Sequence, residues 1–212
     1  RWREMTQLEA ARQGLITREM EAVARVELRE PSFVRDETAR GRAVIPANIH
    51  HHSLTQHTVI GRMFKTKVNA NIGTSKDWSE LSIERQKLDI AVRFGTDTLM
   101  DLSTGGDLDS LRKDLLGLCK VPLGTVPIYQ AVAERDGDFL ALTGDDLFRV
   151  IRRQAEQGVD YMTLHCGVTR NVLPHLGGRL TGIVSRGGSM HAAWLIKHGK
   201  ENPLYDRFDE IL

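Results

Sequence analysis

The sequence has only two cysteines, Cys119 and Cys166, in 212 residues. Two thiols are too few for a disulfide framework. They cannot by themselves complete an iron–sulfur site either, which takes three or four thiolates. The pair reads as reduced thiols of a cytoplasmic chain. Long apolar runs are also missing: stretches such as Val121–Leu123 are short, and none approaches a membrane span. Net charge is almost absent, with 29 basic against 28 acidic residues. No basic stripe stands out, so nucleic acid is not expected as a partner. The charged start Arg1-Trp2-Arg3-Glu4-Met5 does not read as a secretory signal, and Met5 is a candidate natural start. What remains, 41% apolar and 27% charged, is the make-up of a soluble globular protein.

Residues 1–42 predict a small N-terminal helical region. Thr6 and Thr17 stand as caps before segments ending at Gly14 and Arg29, and Pro31-Ser32 opens a third helix stopped by Gly41. A lid and a plain packing appendage both fit this region. From residue 43 to 212 the texture changes to strand–helix alternation. Short apolar runs at Lys67–Ile72, Thr98–Leu102, Leu123–Tyr129, Tyr161–Cys166 and Leu180–Val184 predict five strands. Between and after them, Leu81–Phe94, Leu108–Cys119, Asp145–Gln157 and Met190–His198 predict helices, with cap or stop residues at Ser79, Gly95, Asp107, Gly144, Gly158, Ser189 and Gly199. The alternation argues for a parallel sheet. A Gly-x-Gly-x-x-Gly fingerprint is missing after the first strand, where Asn71-Ile72-Gly73-Thr74 stands. Instead, Asn71, Met100, Tyr129, His165 and Ser185 recur at strand ends, spaced 29, 29, 36 and 20 residues apart. The expectation is an α/β fold: the first five or so units of a (β/α)₈ TIM-type barrel, truncated before closure, with those residues on one rim.

Ser185-Arg186-Gly187-Gly188-Ser189 has the parts of a phosphate cradle. Two glycines allow close backbone approach, a helix start offers free N–H groups, and Arg186 adds charge. Asn71 presents an amide able to pair with a heterocycle, and its neighbour Asn69 shares its face. His165 is suited to bind phosphate or move a proton. Asp101 and Ser103 add polar groups beside Met100. His50, His51, His52 and His57 have the composition of a metal site, but consecutive histidines point apart and a solvated loop is expected.

Taken together, these segments resemble the phosphomethylpyrimidine synthase family. The resemblance rests on Phe33–Asp36, Gly41–Asn48, Lys67–Gly73, Met100–Gly105, Gly124–Gln130, Gln154–Tyr161, Thr181–Ser189 and Lys200–Asn202. It implies a radical S-adenosylmethionine lyase of thiamin biosynthesis, acting on 5-aminoimidazole ribonucleotide as a homodimer. By position, Asn71, Met100, Tyr129, His165, Ser185, Arg186 and Gly187 would contact the nucleotide. The resemblance also implies a [4Fe–4S] cluster and a divalent metal such as zinc, with ligands outside this chain, so that the chain alone would be inactive. It leaves catalytic residues unassigned. The related 5-hydroxybenzimidazole synthase branch, and a non-catalytic half-barrel that only holds a ribonucleotide, fit the same residues.

Overall fold

The computed structural model describes residues 5–212; Arg1–Glu4 lie outside the described residues. Helix α1 (Gln7–Arg12) opens on a capping box, in which Thr6 Oγ1 accepts from Glu9 N and the Glu9 carboxylate accepts from Thr6 N. Thr17 caps α2 (Arg18–Glu27) by accepting from Met20 N, and α3 (Pro31–Ala39) begins with proline, which has no N–H to leave unpaired. These helices bury Met20, Val23, Ala24 and Val34 against Ala43, Ile45 and Val59. Their core therefore extends past residue 42, into the short antiparallel pair β1 (Ala43–Val44) and β2 (Ile60–Gly61).

The alternating part follows: β3 (Asn69–Ile72), α4 (Leu81–Arg93), β4 (Thr98–Asp101), α5 (Leu108–Leu118), β5 (Leu123–Thr125), α6 (Pro127–Ala133), α7 (Gly144–Gln157), β6 (Tyr161–Met162), α8 (Arg186–His198) and α9 (Pro203–Asp206). Strands β3, β4, β5 and β6 form one parallel sheet in sequence order.

Several expectations need correction, one being that the strand expected over Tyr161–Cys166 spans only Tyr161–Met162, so that His165 lies beyond its end. The parallel sheet has four strands among the described residues, not five. The stretch expected as a fifth strand, Leu180–Val184, pairs with nothing: Gly182 takes a left-handed φ of 58° that breaks the pleat, and Leu180 and Val184 are exposed. Tyr129 does not end a strand. After Thr125 the chain turns at Val126, and Pro127 starts a helix that carries Tyr129. Finally, α8 starts at Arg186 rather than Met190, so Ser185 and not Ser189 is its cap.

Register divides the sheet into two faces. Ala70, Leu99 and Leu123 fall in one row; Ile72, Asp101, Thr125 and Met162 fall in the next row of the same face. This face packs on α4 and α5, where Ile72, Leu99 and Leu123 meet Leu88, Leu111 and Leu115. Each such leucine contributes on the order of 2 kcal/mol by leaving water. Asp101 therefore points to the helices, away from the strand-tip residues. The opposite face carries Asn69 and Thr98 in one row, then Asn71, Met100, Gly124 and Tyr161 in the next.

Candidate functional site

On that second face the polar side chains are joined. Asn69 Oδ1 accepts from Thr98 Oγ1 and from the Tyr161 hydroxyl, each at 2.9 Å. The Tyr161 oxygen also lies 3.0 Å from the Leu99 carbonyl. Asn69 Nδ2 donates to Asn71 Oδ1 at 2.9 Å, which turns the amide nitrogen of Asn71 outward as a donor. Tyr161 spans this distance by lying across Gly124. A Cβ on residue 124 would stand 2.3 Å from the tyrosine ring, so only glycine fits. Asn71 and Met100 are aligned residues of adjacent strands.

The remaining expected residues meet beyond the strand ends. Ser185 Oγ accepts from Gly188 N at 3.0 Å and so caps α8, and the same hydroxyl stands 3.0 Å from His165 Nε2. Gly187 packs on the imidazole so closely that a Cβ there would lie 2.3 Å from His165 Cε1. The Arg186 guanidinium sits 5.5 Å from the centre of the Tyr129 ring, within cation–π range. Met100 and Tyr129 both pack on the cluster built around Val126, Ile128 and Val150. Burial lowers the proton affinity of His165, so its ring is neutral near pH 7. A neutral imidazole, a hydroxyl, an exposed guanidinium and the N–H groups of a helix start are groups whose chemistry suits an anion.

Two supporting residues were not singled out in the sequence. Asn202, fully buried, donates from Nδ2 to the carbonyls of His165 and Val168 at 2.9 and 3.0 Å and so fixes the main chain beneath the imidazole. His191 lies on α8 with its ring 5.7 Å from that of His165, and burial pushes its pKa down to about 4. Asn202 stands in the Lys200–Asn202 stretch, and its signal was an Asn-Pro dipeptide, which caps a short helix. His191 gave no signal, because only folding brings it to His165.

The histidine loop is not uniformly solvated. His51 is buried: Nδ1 pairs with Asp160 Oδ2 at 2.6 Å and Nε2 with the Cys119 carbonyl at 3.0 Å. Both ring nitrogens are thus committed to the fold. Cys119 is buried too, and burial raises its thiol pKa to about 11, far from a ready metal ligand. Among the described residues no group of three or more His, Cys, Asp or Glu side chains is placed to hold a metal ion, and no helix is long and apolar enough to cross a membrane.

Residues 6–212 match the model of the Radical SAM ThiC family. The chain is 55% identical over 206 residues to a phosphomethylpyrimidine synthase of Natronomonas pharaonis, covering 97% of this chain and 43% of that protein. It is 51% identical over 212 residues to one of Thermus thermophilus, covering 98% and 49%. With one of Haloarcula marismortui it shares 54% over 207 residues, covering 98% and 43%. The chain thus spans slightly less than half the length of these curated relatives. With the match running over nearly all of its residues, the chain belongs to the Radical SAM ThiC family.

Proposed function

We propose that this chain forms the nucleotide-holding part of a phosphomethylpyrimidine synthase, which converts 5-aminoimidazole ribonucleotide to 4-amino-5-hydroxymethyl-2-methylpyrimidine phosphate. The reading is carried by one observation: His165, Ser185, Gly187, Arg186 and Tyr129 form a continuous set of contacts at the start of α8. The four parallel strands, in sequence order, are read as one part of a (β/α)₈ barrel with this rim at their carboxyl ends. The helical region 1–42 and the barrel part 43–212 are read as its two segments, and the whole enzyme as a cytoplasmic homodimer and a lyase.

In this reading the phosphate rests on Ser185–Gly188. The backbone N–H groups of the first turn and the Arg186 guanidinium meet its oxygens, while Tyr129 holds the guanidinium in place. His165, kept neutral by burial, adds a hydrogen bond without a second full charge. Asn71, with its acceptor oxygen already taken by Asn69, offers Nδ2 to a ring nitrogen of the imidazole. Met100 supplies a polarisable apolar wall beside it. The side chains of Asn69, Asn71, Thr98 and Tyr161 are hydrogen-bonded before any ligand arrives, which lowers the ordering cost of binding.

Membership of a radical S-adenosylmethionine family implies S-adenosylmethionine and an iron–sulfur cluster. The thiols present do not fit that cluster: Cys119 is buried among leucines with its Sγ on the Val121 carbonyl, and Cys166 lies in a different strand–helix unit. The ligands of the cluster, and of a divalent metal such as zinc, are therefore assigned outside this chain. The work left to this chain is to hold and orient the nucleotide.

Calorimetry on the full-length protein tests the assignment of ends. Arg186→Ala should weaken 5-aminoimidazole ribonucleotide binding about 10- to 150-fold, the worth of a charge-assisted phosphate contact. It should leave the unphosphorylated riboside unaffected. Asn71→Ala should weaken both ligands. If neither substitution matters in folded protein, the nucleotide reading fails.

A further inference from the structure

Behind Tyr129 lies a buried polar network that the rim chemistry does not use. Gln130, the next residue of α6, is 4% exposed. Its Oε1 accepts from Arg112 Nη2 at 2.6 Å and from Gln154 Nε2 at 2.7 Å. Its Nε2 donates to Asp109 at 3.0 Å and Glu134 at 3.2 Å. Gln154 Oε1 in turn accepts from Thr125 Oγ1 at 2.6 Å, and Arg112 Nη1 reaches Gln157 at 2.6 Å and Asp109 at 3.0 Å. One glutamine thus joins α5, α6, α7 and, through Gln154, the end of β5.

Stability alone is a poor reason for such a network. Arg112 is a guanidinium at 3% exposure whose Nε has no partner. Well-packed apolar side chains in place of a buried charge are often equally stable or better. A network with directional bonds does something that apolar packing does not, which is to fix rotation. Helix α6 needs that. It has seven residues, starts with Pro127 directly after β5 and has no side-chain N-cap. Successive side chains of a helix lie about 100° apart, so a fixed direction for Gln130 fixes the direction of Tyr129. Tyr129 is the residue that faces Arg186.

We propose that Gln130, clamped by Arg112 and Gln154, is a positioning residue for the anion receptor. It sets the rotation of α6 so that the Tyr129 ring stands against Arg186, and through that contact it orients the guanidinium at the start of α8. The proposal rests on the nucleotide reading above and adds to it a residue that never touches the nucleotide.

A double-mutant cycle in the full-length protein tests it, with 5-aminoimidazole ribonucleotide and its riboside as titrants. Gln130→Met keeps the shape of the side chain and removes all four hydrogen bonds. It should weaken the nucleotide about 3- to 10-fold, within the range of a displaced cation–π contact, and leave the riboside nearly unchanged. Tyr129→Leu should weaken the nucleotide by a similar factor. The double variant should bind no worse than Tyr129→Leu alone, because Gln130 acts only through that ring. Leu88→Ala, which opens the helix-covered core elsewhere, should lose stability and keep nucleotide affinity. Additive effects of the two substitutions would overturn the proposal, as would equal loss of affinity in Leu88→Ala. If Tyr129→Leu weakens binding and Gln130→Met does not, positioning fails while the nucleotide reading stands. If neither Tyr129→Leu nor Arg186→Ala has an effect, the nucleotide reading itself has failed. Should Gln130→Met not fold, Gln157→Met removes one less buried arm of the network and enters the same cycle with a smaller expected change.

Discussion

The two faces of the four-stranded sheet are built from alternate residues of the same strands, and they differ in kind. On the helix-covered face Leu99 and Leu123 are fully buried and interlock with Leu115. On the other face Asn69, Asn71 and Tyr161 are bonded to one another, and Asn69 and Asn71 stay exposed. One face gains its energy from area removed from water. The other holds its shape by directional bonds and by Gly124, which admits the Tyr161 ring. A two-residue repeat thus lets one strand present a packed apolar face and a hydrogen-bonded polar face at once.

Three substitutions test how far the two faces are independent. The largest effect is expected on the covered face: Leu99→Ala should cost about 2–5 kcal/mol of stability, read from urea denaturation. At temperatures well below unfolding it should leave nucleotide affinity unchanged. A proportional loss of affinity would mean that the two faces are not independent. Next, Gly187→Ala drives a methyl group into His165. Overpacking of this kind costs about 1–3 kcal/mol, and here the loss should appear mainly as weaker nucleotide binding in calorimetry, because the imidazole is the part able to move. Unchanged binding would show that His165 is not held at the phosphate by that contact. The smallest effect belongs to Tyr161→Phe, which removes one hydroxyl from the Asn69 row. A loss of about 1 kcal/mol is expected, shared between unfolding free energy and riboside affinity. An effect on nucleotide but not on riboside would contradict the assignment of this row to the imidazole end.

Much of this was legible in the sequence, and the exceptions have physical causes. Thr6, Thr17 and Asp107 cap helices as their positions suggested, since a cap is a local bond between a side chain and an amide three residues on. The residues of the candidate rim could be named one by one from the sequence, but their placement could not. Tyr129 looked like a strand end because Val126-Pro127-Ile128 is β-branched and apolar; the proline at a helix's first position was the counter-signal. Gly187 and Gly188 were read as allowing close backbone approach to an anion; both lie in the first turn of α8, and at Gly187 it is packing on the His165 ring that excludes a side chain. Leu180–Val184 has strand composition but pairs with no strand among the described residues, and pairing is a property of the sheet rather than of the segment. His51 looked like a loop residue because its partner, Asp160, lies 109 positions further on.

That last contact also bears on the order of events as the chain folds. Asp160 accepts from Asn48 N and Leu123 N besides His51, so one carboxylate fastens the segment after β1 to the start of β6. Closing a loop of 109 residues costs about 4 kcal/mol of chain entropy before the bonds return anything. Neighbouring strand–helix units close loops of only 24 to 37 residues, as between Leu99 and Leu123 or between Gly124 and Tyr161. The clasp is therefore expected to form after the strand–helix units it joins.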